Sequence, residues 1–548
     1  VRRPHRLHAR AARDPRAAPH VRRSAQHRRL ARRRRRLGVA LTDELACGSS
    51  RAAAAATTPT TGTAGAAGAP GAAGAGETSG TACQPGDNEI EQLLLDLLDG
   101  VVAIASPAGG ELPVARYLAG RLGALVPELG LECDEFAPGR ANLCWGGPGT
   151  DGALADRRHG LLLYGHLDTS LSGDPLLDRP VTARQRLTRL ERRDGLVVGP
   201  GVAVAKAPAV AAAVGLLLAH RRDPALSAPA RLLLAAGGTH RAAPAELPQP
   251  AGAPVHGAGD GVRRYLARRR PAAAVVAKCG PQTVLHEEPG SAYIQIEVAG
   301  SPGIVMARTE AQRDGGLPAC AGAAVRGVEE CRRRWLGRPL PAGTRVGREL
   351  GVGALSAGIP YKADLFAGLL TLEAYAVLAP GDEALELAAE LAAGVRAALA
   401  VEGAIDLEVT ARVLQATPAA RTDPRSLVAR VARRVWLEQT GAVAPPIGRW
   451  TGSTDGVLLR AAGVDTVRLG PSPVSTLDGE EGVELDGLVA AARRYAAIVL
   501  AFGAETAGGA TAVGAAGPAD NRLALRDTIP PTGATVGAPV VRGGSDER

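Results

Sequence analysis

The chain has 548 residues, 46% of them apolar, with 70 Gly, 40 Pro and only 3% aromatic side chains, enough apolar chain for two or three ordinary domains. All of its basic residues except Lys206, Lys278 and Lys362 are Arg, and no run approaches about 18–20 consecutive apolar residues, which excludes an ordinary membrane span. The formal charge of +9 is uneven: residues 1–36 hold 15 Arg and one acid, Asp14, so the rest of the chain is mildly acidic.

That basic arm lacks apolar periodicity and aromatic platforms. It reads as a solvated leader, which argues against nucleic acid as a partner, although counterion release by such an arm stays open as a second use. Arg32 to Arg36 precede only Leu37-Gly38-Val39-Ala40-Leu41 before Asp43, shorter than the ~7–15 apolar residues of an export signal. Seven cysteines, an odd number without a C-x-x-C pair, fit a reducing cytoplasm and not a disulfide framework. Residues 49–82 are Ala, Gly, Thr and Pro, a linker composition. The reading is a disordered leader over 1–84 and a disordered tail over 505–548.

Between them the first elements alternate. Helical spacing runs from Ile90 to Ile104 and from Leu112 to Val126. Short apolar runs at Leu143-Cys144 and Gly160-Tyr164 precede a helix over Ala207–His220, then runs at Ala230–Ala236 and Ala272–Ala277. Strands alternating with helices predict an α/β layer structure with a mainly parallel sheet. Tyr293–Val298 then alternates as a half-exposed strand. After it come a helix over Leu317–Trp335, runs at Leu350–Leu355 and Leu369–Leu378, a helix over Asp382–Leu399 and an alternating strand over Ile405–Val413. This is β-α-β-β-α-β, an inserted two-layer α+β unit of ferredoxin-like type. A helix over Arg425–Thr440, a run at Thr466–Leu469 and a helix over Leu485–Phe502 resume the first pattern. The expected layout is an α/β domain split into 85–285 and 416–504, interrupted by a lid over 286–415.

The sharpest motif is Leu161-Leu162-Leu163-Tyr164-Gly165-His166-Leu167-Asp168-Thr169, an apolar strand delivering His and Asp to its carboxyl end. A His there can ligate zinc while the Asp accepts its other ring N–H. Thr451-Gly452-Ser453-Thr454-Asp455 reads as an anion-holding helix start or as a helix N-cap formed by Ser453 or Asp455. Neither a P-loop nor a G-x-S-x-G elbow is present.

With these motifs the chain resembles the zinc-dependent family of acetylornithine deacetylase, succinyl-diaminopimelate desuccinylase, aminoacylase and glutamate carboxypeptidase. Matching segments follow the family's order: Gly139-Arg140-Ala141-Asn142, Gly165-His166-Leu167-Asp168, Gly199-Pro200-Gly201 with Lys206, Val298-Ala299-Gly300, Ser453-Thr454-Asp455, Gly470-Pro471 and Glu484-Leu485-Asp486. The resemblance implies a lid that carries a homodimer contact. It also implies a two-zinc centre with a bridging carboxylate and a Glu base. His166 is the retained metal ligand, Asp168 its catalytic supporting acid, and Ser453, Thr454 and Asp455 line the substrate.

The other ligand positions are lost. Val204 stands where the bridging Asp belongs, Gly237-Gly238-Thr239-His240 where the Glu pair belongs, Lys278-Cys279-Gly280 at the next carboxylate and Thr476-Leu477-Asp478 at the last His. The lid His becomes Gly303 or Ile304, and a substrate-binding Asn becomes Lys362. Without anionic bridges, two cations ~3.5–4 Å apart repel. One rebuilt alternative joins His166, Cys279 and His240 around a single zinc ion. Otherwise His240, His286, Glu287 and Glu288 are expected in solvated loops, with Lys278 filling the vacated site against Asp168 or meeting a ligand. The expected function is a degenerate relative that binds a small amino-acid-like molecule or a partner. The alternatives are an amide hydrolase with an altered metal site and a nucleic-acid-associated protein acting through its arm.

Overall fold

A computed structural model describes residues 86–510 apart from 128–129, 146–159, 172–177, 180–188, 239–240, 243–255, 258, 313, 360 and 476–479. The leader over 1–84 and the tail beyond 510 lie outside these residues, as do His240 and Thr476-Leu477-Asp478.

In chain order come α1 (Asp87–Ala103), α2 (Leu112–Leu125), β1 (Leu131–Ala137), β2 (Arg140–Trp145), β3 (Leu161–His166), β4 (Glu191–Arg193) and β5 (Leu196–Val198). A π-turn, Val202–Lys206, leads into α3 (Ala207–Arg222), followed by β6 (Arg231–Ala235), α4 (Asp260–Arg268) and β7 (Ala273–Ala277). Next are β8 (Gly290–Ala299), α5 (Ala321–Leu336), β9 (Glu349–Ala357), β10 (Leu369–Leu378), α6 (Ala384–Val401) and β11 (Glu408–Thr417). The chain closes with α7 (Leu427–Thr440), α8 (Gly456–Ala461), β12 (Asp465–Leu469), β13 (Pro473–Ser475), β14 (Glu481–Glu484) and α9 (Leu485–Ala510).

The main sheet has the order β1-β2-β6-β3-β7-β12. Strands β6, β3, β7 and β12 run parallel, and the β1–β2 hairpin adds an antiparallel edge. The central strands are buried on both faces, so Leu161–His166 and Ala273–Ala277 read as continuous apolar runs without alternation. Helix α3 is buried along Ala207–Ala219; its Gly215 lies where a Cβ would come within 2.6 Å of Tyr495 on α9.

The inserted unit is a four-stranded antiparallel sheet in the order β9-β10-β8-β11, with its own core. Ile294, Ile296 and Leu372 from the strands meet Val328, Trp335, Leu391 and Val395 from α5 and α6. Close crossing of the two helices rests on Gly327, where a Cβ would approach the Gly394 carbonyl to 2.7 Å. Strands β13-β14-β5-β4 form a small antiparallel sheet.

Three sequence expectations change. Helix α9 continues to Ala510, past the expected start of the tail at 505. His286, Glu287 and Glu288 are buried, not solvated. Counting consecutive apolar residues also missed two helical segments long and apolar enough to cross a membrane, Val202–Arg222 and Leu485–Gly508; 94% and 61% of their apolar windows are buried within the fold.

Candidate functional site

The four parallel strands bring their carboxyl ends together, the place where open α/β sheets hold ligands. Strand β3 ends on His166, β6 leads into Ala236-Gly237-Gly238, β7 into Lys278-Cys279, and β12 into Gly470-Pro471. His166, Asp168 and Lys278 are all buried there.

These three side chains form a line. The His166 Nδ1–H donates to Asp168 Oδ1 at 3.1 Å, and the Lys278 amine lies 2.5 Å from His166 Nε2, the nitrogen left to accept. Burial, reinforced by the Lys278 charge, holds the imidazole below its ordinary pKa. Burial alone raises Asp168, but His166, the Gly238 N–H at 2.7 Å and Lys278 outweigh it and keep the carboxylate below its usual range. Burial and the Arg468 charge push the Lys278 amine down to about 8. Lys278 therefore meets His166 directly and feels Asp168 as a nearby charge. Gly238 closes the arrangement, since a Cβ there would stand 3.3 Å from the His166 ring.

Two further carboxylates hold the surrounding turns. Glu111 accepts the N–H groups of Gly109 and Gly237, each at 2.9 Å, and burial with the Asp168 charge raises its pKa. Glu481 accepts the N–H groups of Gly201 at 2.7 Å and Val204 at 3.0 Å, pinning the turn that carries Val204. Lys206 ends this turn, donates to the Ile104 carbonyl at 2.9 Å and is pushed by burial to about 8. Asn142 joins the carboxyl end of β6 to α4, accepting from the Ala236 N–H at 3.0 Å and donating to the Gly261 carbonyl at 2.9 Å.

A second buried cluster adjoins the first. Glu288 takes Arg460 at 2.6 Å, Arg468 at 3.3 Å and the Thr454 hydroxyl at 2.7 Å. Arg468 also donates to the Cys279 carbonyl at 2.6 Å. Burial pushes the Cys279 thiol up to about 12, which keeps it protonated. Within the Ser453-Thr454-Asp455 segment, the Thr454 hydroxyl accepts the Gly456 N–H at 3.1 Å, whereas Asp455 turns inward to the Tyr164 hydroxyl and caps nothing. Burial carries the Asp455 carboxyl up to about 8, and the Ser453 hydroxyl has no hydrogen-bond partner.

The sequence-marked residues thus fall into a line of Asp168, His166 and Lys278, a cluster holding Thr454, and the inward Asp455–Tyr164 contact. Sequence reading missed Glu111, Glu481, Arg460 and Arg468, which no local motif announces, and gave no role to Tyr164 although it lies within the Leu161–Thr169 motif. A zinc ion needs three or four protein donors. Among the described residues no group of three His, Cys, Asp or Glu side chains converges to supply them. His166 Nε2 faces an amine and the Val204 side chain has no donor atom, so the described residues do not fit a two-metal centre.

No protein-family model matches the chain and no curated protein matches it. Solved structures do. Human carnosine dipeptidase 1 superposes with a TM-score of 0.52 at 13% identity, covering 76% of this chain and 97% of that one. The di-peptidase Dug1p from Saccharomyces cerevisiae gives 0.52 at 12%, over 76% and 97%. An amidase of the hydantoinase/carbamoylase family from Burkholderia vietnamiensis gives 0.50 at 14%, over 75% and 97%. At these identities the likeness establishes a shared fold, with function argued from the site.

Proposed function

We propose that this chain is a metallopeptidase- and amidohydrolase-fold protein whose two-metal centre has been replaced by the Asp168–His166–Lys278 contact. In this reading it holds a small amino-acid-like ligand or a partner at the strand ends and does not hydrolyse amides by the two-metal route. The observation that carries it is the 2.5 Å approach of the Lys278 amine to His166 Nε2. An ammonium there supplies internally the positive charge that a metal supplies to such a site, and Lys206 adds a second buried amine nearby in sequence to the missing bridge. Thr454 and Asp455 are engaged internally, leaving Ser453 to offer a buried hydroxyl to a ligand. The dipeptidase and amidase activities named for the solved relatives suggest the ligand class, an amino acid bearing an amide. The α+β insertion serves as the lid and carries a homodimer contact. All five described cysteines are free thiols, in keeping with a reducing cytoplasm.

The test uses the full chain, washed free of loosely held metal. Zinc content is measured alongside hydrolysis of dipeptides and N-acyl amino acids, with and without chelator, and calorimetry follows binding of the same compounds. The expected result is substoichiometric zinc, no chelator-sensitive turnover and measurable binding. Near-stoichiometric zinc with cleavage abolished by chelation would establish the alternative, an amide hydrolase with an altered metal site.

A further inference from the structure

A concavity lies on the helical side of the α/β layer, away from the strand carboxyl ends. It has a volume of about 870 Å³ and is bounded by the start of α1, the end of α3 and the middle of α9. That is within the ~300–1,000 Å³ range of small-molecule sites. Helix α3 starts beside Gly165, where a Cβ would meet Ala209 at 3.2 Å, and ends on Arg221 and Arg222 at the groove. At ~1.5 Å per residue, that stretch of helix places the groove about 18 Å from the carboxyl end of β3. The two places share no residue, so either assignment can fail alone.

The walls combine two chemistries. Ile90, Leu93, Leu218 and Leu500 supply apolar surface, and Arg221, Arg222, Arg493 and Arg494 bring four guanidinium groups against one lining acid, Glu89. Arg493 is held by Asp87 at 2.5 Å. Arg221 and Arg222 are exposed at a helix C-terminus, where cations are favoured without any ligand. Arg494 has no such explanation. It is 5% exposed, stacks on Trp436 at 4.3 Å, and its Nε has no hydrogen-bond partner. Among the described residues no carboxylate pairs with it. A buried guanidinium without a counter-charge is costly unless something anionic satisfies it.

We propose that this groove binds an amphipathic carboxylate, its head on Arg494 with Arg221 and Arg222 at the rim and its aliphatic chain along Ile90, Leu93, Leu218 and Leu500. The probe is decanoate, with decan-1-ol and acetate as controls, followed on the full chain by titration calorimetry and by tryptophan fluorescence, since Trp436 lies under Arg494. Decanoate is expected to bind at least about tenfold more tightly than either control, because a charge-assisted contact and a buried chain then act together. Arg494→Met is expected to remove the preference for decanoate over decan-1-ol. The surface pair Arg221→Ala with Arg222→Ala, which leaves the core intact, is expected to weaken decanoate severalfold and decan-1-ol little. Equal binding of decanoate and decan-1-ol overturns the assignment, as does acetate binding as tightly as decanoate. Undiminished decanoate binding in the surface pair overturns the role given to the rim, and with it the proposed orientation.

Discussion

Lys278 and Lys206 are two of the three lysines in the chain, and both are buried with their amines pushed down to about 8. An unfolded lysine titrates near ~10.4, so between about pH 8 and 10.4 the unfolded chain keeps a proton that the native state has released. Native stability therefore rises with pH across that window, and the penalty for a buried ammonium is present in full below it. Lys278→Met removes one such group. The variant is expected to gain most over the wild type near pH 7 and to lose that advantage by pH 10.5, a change on the order of 3 kcal/mol. Urea unfolding of both proteins across this range measures it; a difference independent of pH would mean that the amine is not shifted. Lys278 and His166 were legible in the sequence because each follows an apolar strand directly. The pairings that complete the site were not: Tyr164 and Asp455 are 291 residues apart, and Gly201 and Glu481 are 280 apart. No local pattern encodes such pairings.

Elements show the same division. Helices α1 and α3 and strands β3 and β7 carry enough apolar side chains to announce themselves. Strand β1, half-buried at a sheet edge with Glu132, Asp134 and Glu135, does not, and neither do the three- or four-residue strands β4, β5 and β14. Pairing with distant segments creates these, and propensity contributes little. One residue ties several elements together: Glu288, fully buried, joins the segment ahead of β8 to α8 through Arg460 and to β12 through Arg468. Removing it strands two cations that are 2% and 4% exposed. Glu288→Ala is therefore expected to destabilise the protein by about 3–5 kcal/mol, the usual consequence of breaking one side of a buried pair. Denaturant unfolding at neutral pH checks this, and a loss below about 1 kcal/mol would mean that the arginines find other partners.

For the molecule as a whole, the order β9-β10-β8-β11 leaves β9 as an edge of the inserted sheet. Natural edges are blunted by lysine, proline or a bulge that turns the strand away, because unpaired backbone groups recruit another strand. Strand β9 has neither residue; its sequence Glu349-Leu350-Gly351-Val352-Gly353-Ala354-Leu355-Ser356-Ala357 has one charge, at its start, and residues 353–356 are exposed. Its pairing with β10 does shift register between Val352 and Ala354, yet the strand continues past that point to Ala357. Leu355 is 44% exposed, and Met306 and Tyr361 of the same insertion are 85% and 79% exposed. A second copy laid antiparallel along β9 would satisfy the edge and cover part of this apolar surface, which is the physical content of the proposed homodimer. The wild-type chain is accordingly expected to run as a dimer in light scattering coupled to size exclusion. Leu355→Lys, which places a charge on the edge without touching the core, is expected to yield a monomer with unchanged far-ultraviolet circular dichroism. A wild type that stays monomeric at tens of micromolar, above the roughly micromolar upper end of dissociation constants for interfaces of standard size, would remove the edge from consideration and leave β9 protected by its shifted register alone.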